Sequence, residues 1–110
     1  MIFITQGRYT EQAMAGMLEH PEDRTLALEK LLDAAGIKLL ASYWTFGEYD
    51  FLVVAEAKDE HEWMKVLLLA ASTGGLKDPR TTIAVSTADG EKAFAAAHAL
   101  RAKFRPAGEP

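Results

Sequence analysis

The sequence predicts an α+β fold, with a four-stranded antiparallel sheet and helices packed on one of its faces. Three observations predict it. Segments rich in β-favouring residues alternate with segments of helical periodicity in the order strand, helix, strand, strand, helix, strand. A tight turn at Gly47 joins the second and third strands, and one more helix follows the fourth. This order is the split βαβ, or ferredoxin-like, arrangement, and right-handed crossovers place strands one and three in the middle of the sheet.

The first third of the chain is predicted to form one strand and two helices. Residues from Ile2 to Tyr9 favour a strand, and Thr10 can cap a short helix from Glu11 to Met17. The pair His20-Pro21 opens the first long helix, because proline suits the first helical position. Gly36 ends this helix. Its apolar stripe consists of Leu28, Leu31, Leu32 and Ala35.

The middle of the chain is predicted to form a hairpin followed by a helix. The hairpin strands run from Lys38 to Phe46 and from Tyr49 to Ala57. Asp59 caps the next helix, with Glu62 at the capping-box position, and Gly74-Gly75 ends it. The residues of this helix that face the core are Trp63, Val66, Leu67, Ala70 and Ala71.

The last third is predicted to form the fourth strand, from Arg80 to Ser86 after Pro79, and an alanine-rich helix capped by Thr87 or Asp89. The stripe of this helix is Ala93, Ala96 or Ala97, Leu100 and Phe104. With 110 residues, one domain is expected. We place it at residues 1–105, with a disordered tail at residues 106–110.

Composition excludes several classes of function. The chain has no cysteine, which excludes disulfides, thiolate zinc sites and a cysteine nucleophile. Its net charge of −4 makes it a poor nucleic-acid binder. The longest apolar run, Val66 to Ala71, is too short to cross a bilayer, and the start lacks the pattern of a secretory signal. We therefore expect a cytoplasmic protein without a membrane partner.

Both faces of the predicted hairpin are apolar. Trp44 and Phe46 share one face with Phe51 and Val53. The other face carries Leu39, Ala41, Tyr43 and Thr45 beside Asp50, Leu52, Val54 and Glu56. The helices can cover only one of these faces, and soluble monomers seldom expose the other. A second copy of the same sheet is the simplest cover, which predicts a homodimer; the alternative is that the C-terminal helix folds back over its own sheet.

The stretch from Tyr43 to Phe51 resembles the signature of the GYD-domain family, whose Gly-x-Tyr-Asp turn corresponds to Gly47-Glu48-Tyr49-Asp50. The opening Gly7-Arg8-Tyr9-Thr10-Glu11-Gln12 is similar to the one that the family favours. The resemblance implies a dimeric α/β-barrel, in which two ferredoxin-like sheets pack face to face. It supplies no catalytic residues. The segment from Glu91 to Arg105 is longer and richer in alanine than the family requires.

Six residues are candidates for a ligand pocket: Arg8, Tyr43, Trp44, Tyr49, Asp50 and His61. Asp50 has a second interpretation as a turn residue that accepts backbone N–H groups. Arg8 needs an acidic partner, which Asp50 or Glu56 could supply. His61-Glu62 does not continue as a zinc helix, because Lys65 stands where the second histidine is needed. Two of the three histidines could still converge with Glu or Asp to hold a metal, but the sequence gives no spacing support for it. No metal and no cofactor are expected.

Three functions fit these observations. The first is a homodimeric binding or interaction module, with a small apolar or aromatic ligand between sheet and helices. The second is a small dimeric-barrel enzyme of the monooxygenase or isomerase type, without a cofactor or with haem, in which His20, His61, Tyr43, Asp50 and Arg8 could carry the chemistry. The third is a structural subunit of a larger oligomer. Fold analogy does not choose among them.

Overall fold

The structure, a computed structural model, describes residues 1–110 and contains four strands and four helices. The strands are β1 (Ile2–Tyr9), β2 (Lys38–Trp44), β3 (Phe51–Glu56) and β4 (Leu76–Ala84). The helices are α1 (Glu11–Glu19), α2 (Arg24–Ala34), α3 (Glu60–Ser72) and α4 (Thr87–Leu100), followed by a 3₁₀ turn (Arg101–Lys103).

The four strands form one antiparallel sheet in the order β2-β3-β1-β4. This confirms the predicted ferredoxin-like arrangement, with the first and third strands in the middle. Helix α2 crosses from β1 to β2, and helix α3 crosses from β3 to β4, as the split βαβ connection requires. The sheet thus has one face toward the helices, and we call the opposite one the second face.

Two predicted helix starts are wrong. Helix α2 begins at Arg24 rather than at His20-Pro21, because the side chain of Asp23 accepts the backbone N–H of Thr25 at 2.9 Å and caps the helix there. His20 instead ends α1. Helix α4 is capped by Ser86, whose hydroxyl accepts the backbone N–H of Asp89 at 3.0 Å, and not by Thr87 or Asp89.

The fourth strand begins earlier than predicted, because it tolerates Pro79 in its interior. Gln6 pairs with Arg80 and Arg8 pairs with Lys77, so that two residues of β4, Asp78 and Pro79, bulge opposite Gly7. β4 is an edge strand, where a proline removes no ladder hydrogen bond. The sheet therefore keeps its pairing on both sides of the proline.

The hairpin strands are shorter than predicted and enclose a six-residue loop, residues 45–50. The backbone N–H of Thr45 donates to the carbonyl oxygen of Asp50 at 2.9 Å, and its hydroxyl donates to the carbonyl of Tyr49 at 2.7 Å. These bonds close the loop. Phe46 lies in it and is 99% exposed, rather than facing the core beside Phe51.

The core lies between the helix-facing side of the sheet and helices α2 and α3. Trp63 stacks on Phe3 with ring centroids 5.9 Å apart, and its indole N–H donates to the hydroxyl of Thr5 at 3.0 Å. The Thr5 hydroxyl also lies 2.8 Å from that of Thr81, so this buried polar group has its partners. The buried apolar residues are Phe3, Leu32, Ile37, Phe51, Val53, Ala55, Ala57, Trp63 and Val66.

No helix covers the second face. Strand alternation places Ile4 of β1 and Leu52 and Val54 of β3 there, all half-buried between neighbouring strands. Ala41 and Tyr43 of β2 extend the patch. The prediction is wrong for Leu39: a bulge at Leu40 pairs Leu39 with Ala55, which turns it toward the core.

Helix α4 projects from the rest of the chain. Its Phe94 is 78% exposed, and none of its residues is buried. The radius of gyration is 18.6 Å and the longest dimension 64 Å, whereas a compact domain of this length would have a radius of about 13 Å. The alternative in which this helix folds back over its own sheet is therefore wrong. No helix of the chain combines the length and apolarity that a membrane crossing needs.

Candidate functional site: an aromatic cavity between sheet and helices

A cavity of about 740 Å³ opens between the helix-facing side of the sheet and helices α1 and α2. Strands β1, β2 and β3 form its floor at the hairpin end of the sheet, and the end of α3 closes one side. Most of the lining residues are apolar. Helix α1, helix α2 and the segment between them line the side opposite the floor, and His20 with residues 22–25 forms the rim. We refer to it as the aromatic cavity.

Three aromatic rings form the floor. The ring centroid of Tyr9 lies 5.2 Å from that of Trp44 and 5.1 Å from that of Phe51, and both pairs are tilted. Such geometry is favourable for aromatic pairs. The sequence brings the rings together because Trp44 ends β2, Phe51 begins β3 opposite it, and Tyr9 ends the adjacent β1.

Gly7 makes room for one of these rings. It pairs with Phe51 across β1 and β3, and a β-carbon at position 7 would lie 2.7 Å from Cζ of that ring. The same β-carbon would lie 3.5 Å from Cα of Pro79 on the other side. A glycine is therefore needed for the ring to lie across the strand.

Asp50 fixes the hairpin loop to the end of β1. Its carboxylate accepts the backbone N–H of Tyr9 at 3.0 Å, and its own N–H donates to the carbonyl oxygen of Gly7 at 2.8 Å. This carboxylate is one of the residues predicted to lie at a pocket. The structure uses it to accept a backbone N–H, behind the aromatic floor rather than in the cavity lining.

The charged groups of the cavity lie at its rim. Arg24 and Glu22 form an ion pair with an N–O distance of 2.8 Å, and both side chains are about half exposed. Asp23 caps α2, and its hydrogen bonds with Thr25, first that with the backbone N–H, hold the pKa of this carboxyl below its ordinary value. The imidazole-bearing His20 completes the rim. The charged groups of the rim are therefore already paired or capping.

The Tyr9 hydroxyl is the titratable group of the floor. Burial raises the pKa of Tyr9 above its ordinary value of 10.0, the charge of Asp50 raises it further, and Arg24 partly opposes both effects. Arg24 and Asp50 thus act on the Tyr9 hydroxyl from the rim side and from the hairpin side.

We expect this shift to make stability depend on pH in alkaline solution. Because the raised pKa belongs to the folded state, the unfolded chain loses the Tyr9 proton first as the pH rises past about 10. The free energy of unfolding should then fall by up to ~1.4 kcal/mol per pH unit until the folded-state pKa is reached. Urea unfolding from pH 9 to 11 should show a shallower fall for Tyr9→Phe than for the wild type, and equal slopes would contradict the assignment.

The structure separates the predicted pocket residues. Trp44 lies on the floor of the cavity, and Tyr43 contributes at its edge. Arg8 and Tyr49 lie outside it, with the guanidinium carbon 5.3 Å from the ring centroid. His61 is exposed in the first turn of α3 and does not line the cavity.

The predicted partner of Arg8 is wrong. Its guanidinium pairs with Asp78 at 3.1 Å, and not with Asp50 or Glu56. The reason is the bulge of β4 opposite Gly7, which brings Asp78 with a positive φ of 52° beside the strand end. Asp50 is meanwhile held by the backbone of Tyr9.

Sequence reasoning missed Tyr9, Phe51 and the rim residue Arg24 as parts of one site. Strand alternation gave a signal for Tyr9, because residues 3, 5, 7 and 9 share one face of β1. Nothing in the sequence indicated that α1 and α2 would leave a gap above it. No group of three or more His, Cys, Asp or Glu residues is placed to hold a metal ion.

Comparison with known proteins adds a family and a fold. A family model described as the GYD domain matches residues 3–97. A protein of Thermus thermophilus named glutamine synthetase and cystathionine beta-lyase binding protein is 30% identical over 87 residues, which are 79% of this chain and 90% of that protein. The crystal structure of a hypothetical protein from Pyrococcus horikoshii has a TM-score of 0.50 at 15% identity, covering 78% of this chain and 92% of that one.

Proposed function

Because the chain belongs to the GYD-domain family, we propose that it is a homodimeric binding module whose aromatic cavity takes a small, largely apolar ligand. The family membership confirms the resemblance found in the Gly47 turn. The family alone names no ligand, so the proposal depends on the cavity and on the second face of the sheet.

The observation that carries the proposal is the aromatic cavity. Its volume of about 740 Å³ falls within the usual range of small-molecule sites, roughly 300–1,000 Å³. The floor of Tyr9, Trp44 and Phe51 offers aromatic surface to a flat or apolar body. The charged groups lie at the rim and the Tyr9 hydroxyl lies on the floor, and either could orient one polar end of a ligand.

The pairing of the charged groups favours binding over the enzyme alternative. Glu22 is held by Arg24, Asp23 by Thr25, and Asp50 by the N–H of Tyr9. A general base needs a free acceptor within reach of its substrate, and these three carboxylates already serve the fold. The Tyr9 hydroxyl, whose pKa is raised, is a weak acid at neutral pH and suits a hydrogen bond to a ligand.

The proposed homodimer is supported by the second face. Ile4, Leu52 and Val54 form an apolar centre on the two central strands, and no element of the chain covers it. Its extension to Ala41 and Tyr43 runs to the edge of the sheet. In a dimer with a two-fold axis, this patch would be buried against the same patch of a second copy, because such an axis brings identical surfaces together.

Protein binding is a second candidate, and one observation favours it. The relative from Thermus thermophilus is named for binding two enzymes. We propose on this ground that the chain also binds a protein partner. The helix side of the chain offers exposed apolar side chains for such contact, among them Leu18, Leu26 and Leu68.

The test of the ligand site uses 8-anilino-1-naphthalenesulfonate, a fluorescent probe with an apolar aromatic body. We expect saturable binding at one site per chain, with an affinity at least ~10-fold lower in Trp44→Ala, because removal of one floor ring costs about 1.4 kcal/mol of contact. The matched control is Leu68→Ala, an exposed apolar residue outside the cavity. Equal losses in both variants, or no saturable binding by the wild type, would contradict the assignment.

A further inference from the structure

The C-terminal arm, which we define as residues 87–105, is an amphipathic segment with no partner in its own chain. No residue of helix α4 is buried. Leu100 and Phe104 are 63% and 74% exposed. Leu100 ends α4, and Phe104 follows the 3₁₀ turn in extended backbone. Side chains of this size are normally buried, so the arm end carries two apolar groups that its own chain does not cover.

The charge of the arm is opposite to that of the rest of the chain. The arm has two acidic residues at its start, Asp89 and Glu91, but from Lys92 to Gly108 there are four Lys or Arg residues and no Asp or Glu. The preceding 91 residues contain eight Lys or Arg and fifteen Asp or Glu. Such segregation favours contact of the arm end with an acidic surface, and the body of another copy provides one.

The rim of the aromatic cavity matches the end of the arm in polarity. Its charged lining residues are two carboxylates, Glu22 and Asp23, and one guanidinium, Arg24. Most of the other lining residues are apolar. The arm end, Leu100 to Arg105, alternates apolar and basic residues. Leu100 or Phe104 can therefore enter an apolar mouth while a basic neighbour meets the exposed Asp23 carboxylate, of which only Oδ1 is used to cap α2.

No residue of helix α4 is buried, and no arm residue lines the cavity of its own chain, so the mouth that the arm end meets belongs to a second copy. We propose that the C-terminal arm of one protomer docks on the partner copy, with Leu100 and Phe104 at the mouth of its aromatic cavity. This inference rests on the proposed homodimer. It adds that residues of one copy complete the site of the other, so that the arm and a small ligand compete for the same mouth.

Cross-linking between two different chains tests the docking directly. The chain has no cysteine, so introduced cysteines report contacts without background. One full-length chain carries Ala102→Cys in the arm, and a second, tagged chain carries Ala27→Cys, an exposed cavity-lining position on α2. The control chain carries Lys58→Cys, which is exposed and outside the cavity.

After mixing and subunit exchange, a short bismaleimide should join the Ala102→Cys chain to the Ala27→Cys chain at least ~10-fold more than to the Lys58→Cys chain. Equal yields, or no product with Ala27→Cys, would overturn the docking. Adding Leu100→Ser and Phe104→Ser to the arm chain should reduce the product at least ~10-fold, and an unchanged yield would also overturn it. If sedimentation shows a dimer but cross-linking gives no product with the Ala27→Cys chain, the arm proposal fails while the proposed homodimer stands.

Discussion

Replacing Val54 by Asp is expected to convert the proposed dimer into a folded monomer. Val54 lies on central strand β3, paired with Ile4 on one side and Ala41 on the other, in the middle of the second face. A two-fold axis would bury one new carboxylate from each copy in an apolar contact. Burial of an unpaired charge costs at least ~3 kcal/mol, which is more than a 100-fold rise in the dissociation constant.

The readout is the mass by sedimentation equilibrium, with circular dichroism to show that the fold persists. The matched control is Met64→Asp, an exposed apolar residue of α3 on the other side of the sheet, which should remain dimeric. Trp44 is not suited to this test, since it lies on the floor of the aromatic cavity. If Val54→Asp associates as strongly as the wild type, the second face is not part of the interface.

Replacing Gly7 by Ala is expected to lower the free energy of unfolding by about 1–3 kcal/mol, the usual cost of forcing a methyl group into a packed site. The added β-carbon would lie 2.7 Å from Cζ and 3.0 Å from Cε2 of the Phe51 ring. The same ring packs against Tyr9, with ring centroids 5.1 Å apart. It cannot move without disturbing the aromatic floor, so the change should also weaken binding of the fluorescent probe.

A second glycine provides a control in which the free energy of unfolding should change in the opposite direction. Gly16 lies inside helix α1, and a β-carbon there would meet nothing within 4 Å. Gly16→Ala should therefore raise the free energy of unfolding by about 0.5–1 kcal/mol, through helix propensity. Urea unfolding measures both. If Gly7→Ala is neutral, or if its cost is the same in a Phe51→Leu background, the close contact with the Phe51 ring is not what requires glycine.

Much of the fold could be predicted because local signals and the global arrangement agree. Thr10 and Asp59 cap α1 and α3 as expected, and Gly36 and Gly74 adopt positive φ after α2 and α3. The start of β4 was predicted wrongly because the effect of Pro79 depends on whether its strand is central or at the edge, which is a property of the whole sheet. The bulge at residue 40, which turns Leu39 toward the core, likewise could not be predicted from composition.

The aromatic cavity could be predicted only in part. Trp44 and Tyr43 belong to the conspicuous hairpin sequence, and Tyr9 follows from strand alternation. The position of Arg24 at the rim could not be predicted, because it depends on where α2 begins. The sequence offers two helix starts, Pro21 and the cap at Asp23, and the structure uses the second. Arg8 and Asp50 are both near the hairpin, yet their partners, Asp78 and the N–H of Tyr9, come from two different strand ends.

The most direct test of the central claim is the molar mass of the wild-type chain at micromolar concentration, measured by sedimentation equilibrium. An apolar second face that needs a second copy predicts a particle of twice the 12.1 kDa of one chain, in reversible exchange on dilution. A stable particle of one chain's mass, with no tendency to associate as the concentration rises, would contradict it.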